Sequence, residues 1–394
     1  MEIEKYKNEL DRTLSILEKL VSFPILGGES NLPISRYIED VLKDSNIGYH
    51  HVYNEERDKV SLHCRIGPPV DGGIILSGHM DVVPVDGQPW SRQAFSLSRE
   101  QNRLYGRGTA DMKGFIACCL AMIPYLLRVP LQRPIYFAFS YDEEVGCLAG
   151  PALVQNIKET YSEKPAYAII GEPTSMKTNA SGKGIAVFIT HVRSSAAHSS
   201  EIKKSVSAIN EAIILIQWLN SKMEELADEA KSDQRFDPPN TTIHIGTIQG
   251  GTAVNIVADS CQFEWDVRNI PADKVADILE EFITFCEQRE TINRYINPEF
   301  KIQTASKFSI VPSLDTAEEA AIVHLVNQWT NTDIPESVSF GSEAGQFAEG
   351  GYQAVLCGPG NMEQGHRADE FVEMEQLEKC IAMLHNLITA QCES

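Results

Sequence analysis

The chain has 394 residues, 43% of them hydrophobic and 23% charged, which is the composition of a globular protein with a core of its own and not of a disordered one. Its 34 Lys+Arg against 55 Asp+Glu give a net charge of −21, which argues against a nucleic-acid or anionic-membrane partner because no basic footprint is available to neutralise phosphates. Nine cysteines without a CxxC pair, and no signal-like apolar stretch at the N-terminus, lead us to expect a reducing, cytoplasmic setting.

Apolar residues Ile3, Tyr6, Leu10, Leu14, Leu17 and Leu20 recur at helical spacing, so an amphipathic helix is expected over 3–20 and a second over 35–43. Short β-rich runs at 74–76, 135–139 and 167–170 then alternate with helical stretches at 113–127 and 148–160. That alternation predicts a mainly parallel sheet flanked by helices. The longest apolar run, 115–127, contains Pro124 and is too short to span a bilayer. It reads as a buried helix. From Gly182 the pattern changes to strand 185–192, helix 204–230, strands 242–247 and 261–267, helix 273–288 and a strand near 300–304. This is the βαββαβ order of a ferredoxin-like α+β domain. A helix at 315–330, a strand at 354–357 and a helix at 374–390 restore the α/β pattern. The expected architecture is therefore a discontinuous α/β domain, 1–181 and 307–394, with an α+β domain, 182–306, inserted.

Several polar clusters follow the expected strands. Ser77-Gly-His-Met-Asp81 displays His79 and Asp81 two residues apart, on one side of an extended backbone. An aspartate beside a metal-bound imidazole can hold its second N–H. An isolated pair of this kind is more often a hydrogen-bonded strand end. Gly106-Arg-Gly-Thr-Ala-Asp111 sets Asp111 in a glycine-punctuated turn before the buried helix, where a helix cap is the bland alternative. The glycine spacing matches neither a dinucleotide nor a P-loop motif. Asp142-Glu143-Glu144 ends another strand with three repelling carboxylates, and Gly171-Glu172 displays a fourth acidic position. Gly358-Pro-Gly-Asn-Met-Glu-Gln-Gly-His366 presents one imidazole from a glycine-rich loop. Two imidazoles with three or four carboxylates and no thiolate suit a pair of Zn²⁺, Co²⁺ or Mn²⁺ ions. Such a pair makes a water acidic enough to serve as hydroxide near neutrality. His50, His51, His63, His191, His244, His324 and His385 belong to none of these clusters, and Cys118-Cys119 reads as packing.

His79-Met-Asp81, Gly108-Thr-Ala-Asp111-Met-Lys-Gly114, Asp142-Glu-Glu144, Gly171-Glu-Pro-Thr174 and Gly365-His366 resemble, in this order, the motifs of the acetylornithine deacetylase/succinyl-diaminopimelate desuccinylase family of co-catalytic zinc metallohydrolases. The resemblance covers nearly the whole chain and is greatest to the acetylornithine deacetylases. It implies a zinc-exopeptidase-like fold with an inserted lid/dimerisation domain. It further implies a homodimeric amidohydrolase that takes N2-acetyl-ornithine to ornithine and acetate in arginine biosynthesis. Related N-acyl amino acids, succinyl-diaminopimelate and dipeptides are the alternative substrates, and a non-catalytic binding relative is a further alternative. Two Zn²⁺ are implied, with Co²⁺ able to substitute. By the same resemblance His79 and Glu172 would hold one ion, Glu144 and His366 the other, and Asp111 would bridge. Asp81 would orient His79, Glu143 would be the general base, and His198 would polarise the scissile carbonyl across a dimer. Asn255 and Arg268 would bind the substrate carboxylate, and Gly341-Ser-Glu-Ala-Gly345 resembles a loop lining the side-chain pocket. Met80 and Ser194 depart from the family pattern, which has Thr and Gly there.

Overall fold

Four apolar runs become four buried strands, Ile74–His79, Ile135–Ser140, Tyr167–Pro173 and Gln353–Gly358, in a computed structural model that describes residues 6–393. Their side chains are apolar on both faces, as a sheet covered on both sides requires. Ile74 lies opposite Ile135 on one side and Tyr167 on the other, and Ile170 lies opposite Leu356, all in parallel register. The carboxyl ends of these strands therefore share one edge. Antiparallel strands Tyr49–Tyr53 and Val60–Ile66 extend the sheet beyond Ile135–Ser140. Asn179–Gly182, Leu314–Asp315 and Glu336–Val338 complete its nine strands on the far side. The expected elements omit the first two strands, although Val60, Leu62, Cys64 and Ile66 alternate with polar residues. A three-stranded sheet of Ser98–Glu100, Arg103–Tyr105 and Phe371–Glu373 is likewise new.

Every residue of helix Lys113–Ala121 is buried, as expected for a helix that is apolar all round. It packs against helices Lys7–Val21 and Met374–Gln391. The single helix expected over 113–127 is two, because Pro124 sits in the first turn of a separate segment, Ile123–Leu126. Ile3, expected to begin the first helix, lies outside the described residues, and the helix expected from 315 starts at Ala321.

The chain divides into two compact units. The first contains the residues up to Ser181, Leu314–Ser337 and those from Ser342 on; the second contains Gly182–Ser313 and Val338–Gly341. The boundary thus lies beyond the expected 306, because Val311 exchanges both backbone hydrogen bonds with Ile185. Within the second unit, strands Gly184–Arg193, Thr242–Gly250, Ser260–Asn269 and Lys301–Ser306 form an antiparallel sheet in the order second, third, first, fourth. With helices Ala208–Leu226 and Val275–Asn293 this is the ferredoxin-like arrangement. Its core centres on Trp265, whose ring lies 4.5 Å from that of Phe188 and 5.0 Å from that of Phe282.

Candidate metal centre

Open α/β sheets collect their functional groups at the carboxyl ends of parallel strands. His79 is the last residue of its strand, and Glu172 the last but one of Tyr167–Pro173. Glu143 and Glu144 occupy the turn after Ile135–Ser140, and His366 the loop after Gln353–Gly358. Asp111 lies just ahead of helix Lys113–Ala121. That helix is seated by Gly171: a Cβ there would lie 2.0 Å from the Phe115 ring. The glycine thus lets the helix approach the sheet and bring Asp111 over its edge.

The two oxygens of Asp111 are divided between the imidazoles. Oδ1 is 3.0 Å from His79 Nε2, and Oδ2 is 3.1 Å from His366 Nε2. His366 Nε2 also lies 3.0 Å from Glu144 Oε2, and His79 Nε2 lies 3.9 Å from Glu172 Oε1. Two groups of donor atoms result, His79–Asp111–Glu172 and Asp111–Glu144–His366, sharing Asp111.

Buried carboxylates of this density repel one another. Burial, then the neighbouring charge of Asp111, pushes Glu144 and Glu172 above the usual carboxylate range. Burial opposes charging of His79, but the hydrogen bond to Asp111 and the charges of Glu143, Asp111 and Glu172 outweigh it and raise its pKa well above the ordinary value. Hydrogen bonds to Asp111 and Glu144 raise His366 to about 10. Glu144 Oε1 and Glu172 Oε1 are buried without a hydrogen-bond partner. An orphaned carboxyl oxygen in each group, with oxygen and imidazole donors throughout, fits two divalent cations, whose charge would hold these carboxyls ionised.

Glu143 belongs to neither group. Burial, partly offset by His79, and then Glu144 and Glu343 push its carboxyl up to about 8, and Cys147 Sγ donates to its Oε1 at 3.2 Å. Asp81 differs from expectation. It lies beyond the strand end, and its main-chain carbonyl, at 2.9 Å, holds His79 Nδ1; its carboxylate Oδ1 stands 3.7 Å away. The Asp81 carboxylate instead accepts from the backbone N–H groups of Glu143 (3.2 Å) and Glu144 (3.1 Å). The strand end leaves the carboxylate facing the neighbouring turn, where it holds the Glu143–Glu144 backbone, while the main-chain carbonyl holds His79.

Glu343, within the stretch that resembles a side-chain-pocket loop, lies instead beside Ser140 at the end of a central strand. Its Oε2 accepts from Ser140 Oγ at 2.9 Å, its Oε1 has no partner, and burial raises it to about 7. The family-like stretch 341–345 was its one local signal.

His198, Asn255 and Arg268 belong to the second unit. His198 is exposed, pairs with Ile256 in a short ladder, and accepts through Nδ1 from Ser200 N at 3.2 Å. Ser199 N donates to the Asn255 carbonyl, so these two positions are neighbours. Arg268 is not near them along the sheet. It pairs with Ile185, whereas the chain leaves the sheet toward His198 at Arg193, opposite Ser260. Eight residue steps along the strand separate the two ends, roughly 26 Å. Arg268 Nε lies 3.4 Å from Asp266 Oδ1.

A family model described as peptidase family M20/M25/M40 matches residues 75–390. An acetylornithine deacetylase of Myxococcus xanthus is 31% identical over 387 residues, covering 95% of this chain and 96% of that protein. Among solved structures, an M20 family metallo-carboxypeptidase from Sulfolobus solfataricus superposes with a TM-score of 0.77 at 16% identity, covering 97% of this chain and 99% of that one. A dinuclear metal binding peptidase of the M20 family from Bacillus subtilis gives 0.63 at 15% identity, with 98% of each chain covered.

Proposed function

The chain belongs to peptidase family M20/M25/M40 and is a hydrolase of that family; from this premise we propose that it deacetylates an N-acetyl amino acid, N2-acetyl-ornithine first, to ornithine and acetate. One observation carries the reaction class: Asp111 divides its oxygens between two imidazoles while Glu143 stays outside both donor groups. The acetylornithine deacetylase name of the relative that spans nearly the whole chain favours the substrate. Hydrolysis of acetyl-ornithine would place the enzyme on a route to arginine.

Two divalent ions, Zn²⁺ by the donor set with Co²⁺ as a substitute, would be held by His79 and Glu172, by Glu144 and His366, and jointly by Asp111. Such ions polarise a carbonyl oxygen and acidify water. Glu143 takes the proton from the water that attacks the acetyl carbonyl carbon. It then delivers that proton to the amide nitrogen as the C–N bond breaks and the amine leaves. Asp81 keeps the Glu143 carboxylate aimed by holding its backbone. The planar fork of Arg268 suits a bidentate hold on the substrate carboxylate, and Asn255 supplies an amide. The His198 N–H stabilises the tetrahedral oxyanion.

A molecule the size of one acylated amino acid does not span the sheet that separates His198 and Asn255 from Arg268. If both ends act on one substrate, one of them comes from a second copy of the chain, which favours a homodimer. Among the described residues no helix is long and apolar enough to cross a membrane.

The test is amine release from N2-acetyl-ornithine, other N-acetyl amino acids, N-succinyl-diaminopimelate and dipeptides by protein stripped with a chelator and then reloaded with Zn²⁺ or Co²⁺. Activity should vanish on stripping, return with metal, and be greatest on N2-acetyl-ornithine. Full activity of stripped protein would end the metal reading. Equal turnover of the succinyl substrate or a dipeptide would remove the substrate assignment while leaving the reaction class.

A further inference from the structure

The two donor groups are built differently. His79 and Glu172 stand on strands, held by the ladder of the central sheet. Glu144 and His366 stand on a turn and a loop, and His366 has a left-handed backbone, φ 58°, which is uncommon outside glycine. Something outside the sheet must hold that loop.

Glu370 and Arg107 lie there, both fully buried, and neither belongs to a donor group. Glu370 Oε1 accepts from three backbone N–H groups of the Asp111 turn: Gly108 at 3.0 Å, Ala110 at 2.9 Å and Asp111 at 3.2 Å. Gly108, at φ 87°, gives the turn the curvature that lets these groups converge. Glu370 Oε2 accepts from Arg107 Nη1 at 2.7 Å. The same guanidinium donates to the carbonyl of Arg367 (3.3 Å), next to His366, and to that of Pro84 (3.3 Å). It also donates to Gln88 Oε1 at 2.6 Å, and Gln88 Nε2 in turn donates to the His366 carbonyl at 3.0 Å. One buried ion pair thus fastens the His366 loop to the turn that presents Asp111 and to the loop that follows His79.

Building on the two-metal reading above, we infer that Glu370, seated by Arg107, is a positioning residue that fixes His366 against Asp111 and so makes the second metal position bind. It touches neither substrate nor metal. Partners that orient metal ligands typically contribute about 10- to 100-fold in metal affinity. The effect here is unequal: loosening the Asp111 turn touches both donor groups, but the Asp111–Glu144–His366 position also loses the hold on its His366 loop, while His79 and Glu172 keep their strand anchorage.

The experiment is Zn²⁺ titration of the full-length metal-free protein against a chromophoric chelator, with Co²⁺ absorption as a coordination signature, for wild type, Glu370→Ala, Glu370→Gln and Gln88→Ala. Wild type should take two equivalents. Glu370→Ala should weaken the second equivalent by about 10- to 100-fold and the first by clearly less, with the Co²⁺ spectrum losing the contribution of the second equivalent. Glu370→Gln keeps an oxygen for the backbone N–H groups and should recover part of the loss. Gln88→Ala, at a half-buried site, should show the same inequality more weakly and serves if Glu370→Ala does not fold. Equal weakening of both equivalents, or of neither, in whichever variants fold would overturn this inference and leave the two-metal reading standing. A wild type that takes fewer than two equivalents would defeat both.

Discussion

Glu143 and Glu144 are adjacent in sequence and alike in chemistry, yet the turn sends one toward Cys147 and the other toward His366. Glu143→Gln should leave metal content intact while the turnover rate falls at least ~10²-fold, the size of a general-base contribution. Glu144→Gln should lose metal from one position. Metal analysis beside kcat decides between them, and reversed phenotypes would exchange the two roles. Away from the centre, His63 is buried between Tyr161 OH (3.0 Å from Nδ1) and Asn156 Oδ1 (2.8 Å from Nε2), with His50 stacked on its ring. Burial, the charge of His50 adding to it, lowers its pKa to about 4, so the folded protein holds it neutral where an unfolded chain, near 6.5, takes up a proton. Its contribution is therefore complete above 6.5 and is lost as pH falls from 6.5 toward 4. At pH 4.5 the loss amounts to about 2–3 kcal/mol. Urea midpoints at pH 7 and 4.5 should draw together in His63→Gln relative to wild type; an unchanged difference would refute this account.

At the scale of elements, helix Lys113–Ala121 shows how packing positions chemistry. All nine of its residues are buried, and it reaches the sheet at Gly78 and Gly171. Gly171→Ala would drive a methyl group into the Phe115 ring, an overpacking that costs about 1–3 kcal/mol or more. The helix would move outward and take Asp111 with it. The expected result is a lower urea midpoint together with weaker binding of both metal equivalents, since Asp111 belongs to both donor groups. A destabilised variant with wild-type metal affinity would show that the helix seat and the bridge are independent. This contrasts with the unequal loss expected at Glu370, so the two substitutions separate the anchorage of the bridge from that of the second imidazole.

At the scale of the molecule, the second unit places His198 and Asn255 at one end of its sheet and Arg268 at the other. His198→Ala and Glu143→Gln, each inactive alone, should regain part of the activity when co-expressed. A mixed dimer then has one site in which both residues are intact. A mixture that stays inactive, with mixed dimers demonstrated by two affinity tags, would place His198 and Glu143 of one chain in the same site. Wild-type turnover by His198→Ala would remove the residue from the reaction.

Much of the candidate metal centre was legible because His79, Glu144 and Glu172 lie at or just beyond a strand end, beside the apolar run that announces the strand, while Asp111 and His366 stand in glycine-rich turns and loops. His79, Glu172 and the Asp142–Glu144 turn need only local sequence to be found. The parallel sheet and the ferredoxin-like insert were legible from alternation and element order for the same reason. The tertiary structure decided what local pattern does not encode. It turned the Asp81 carboxylate from His79 to the Glu143–Glu144 backbone, and it paired Arg107 with Glu370, 263 residues further along the chain. It also buried Glu343 against Ser140, across 203 residues. A buried charge is tolerated only where a partner or a cation meets it. In this chain those partners are brought by the fold from remote segments, so no short stretch of sequence names them.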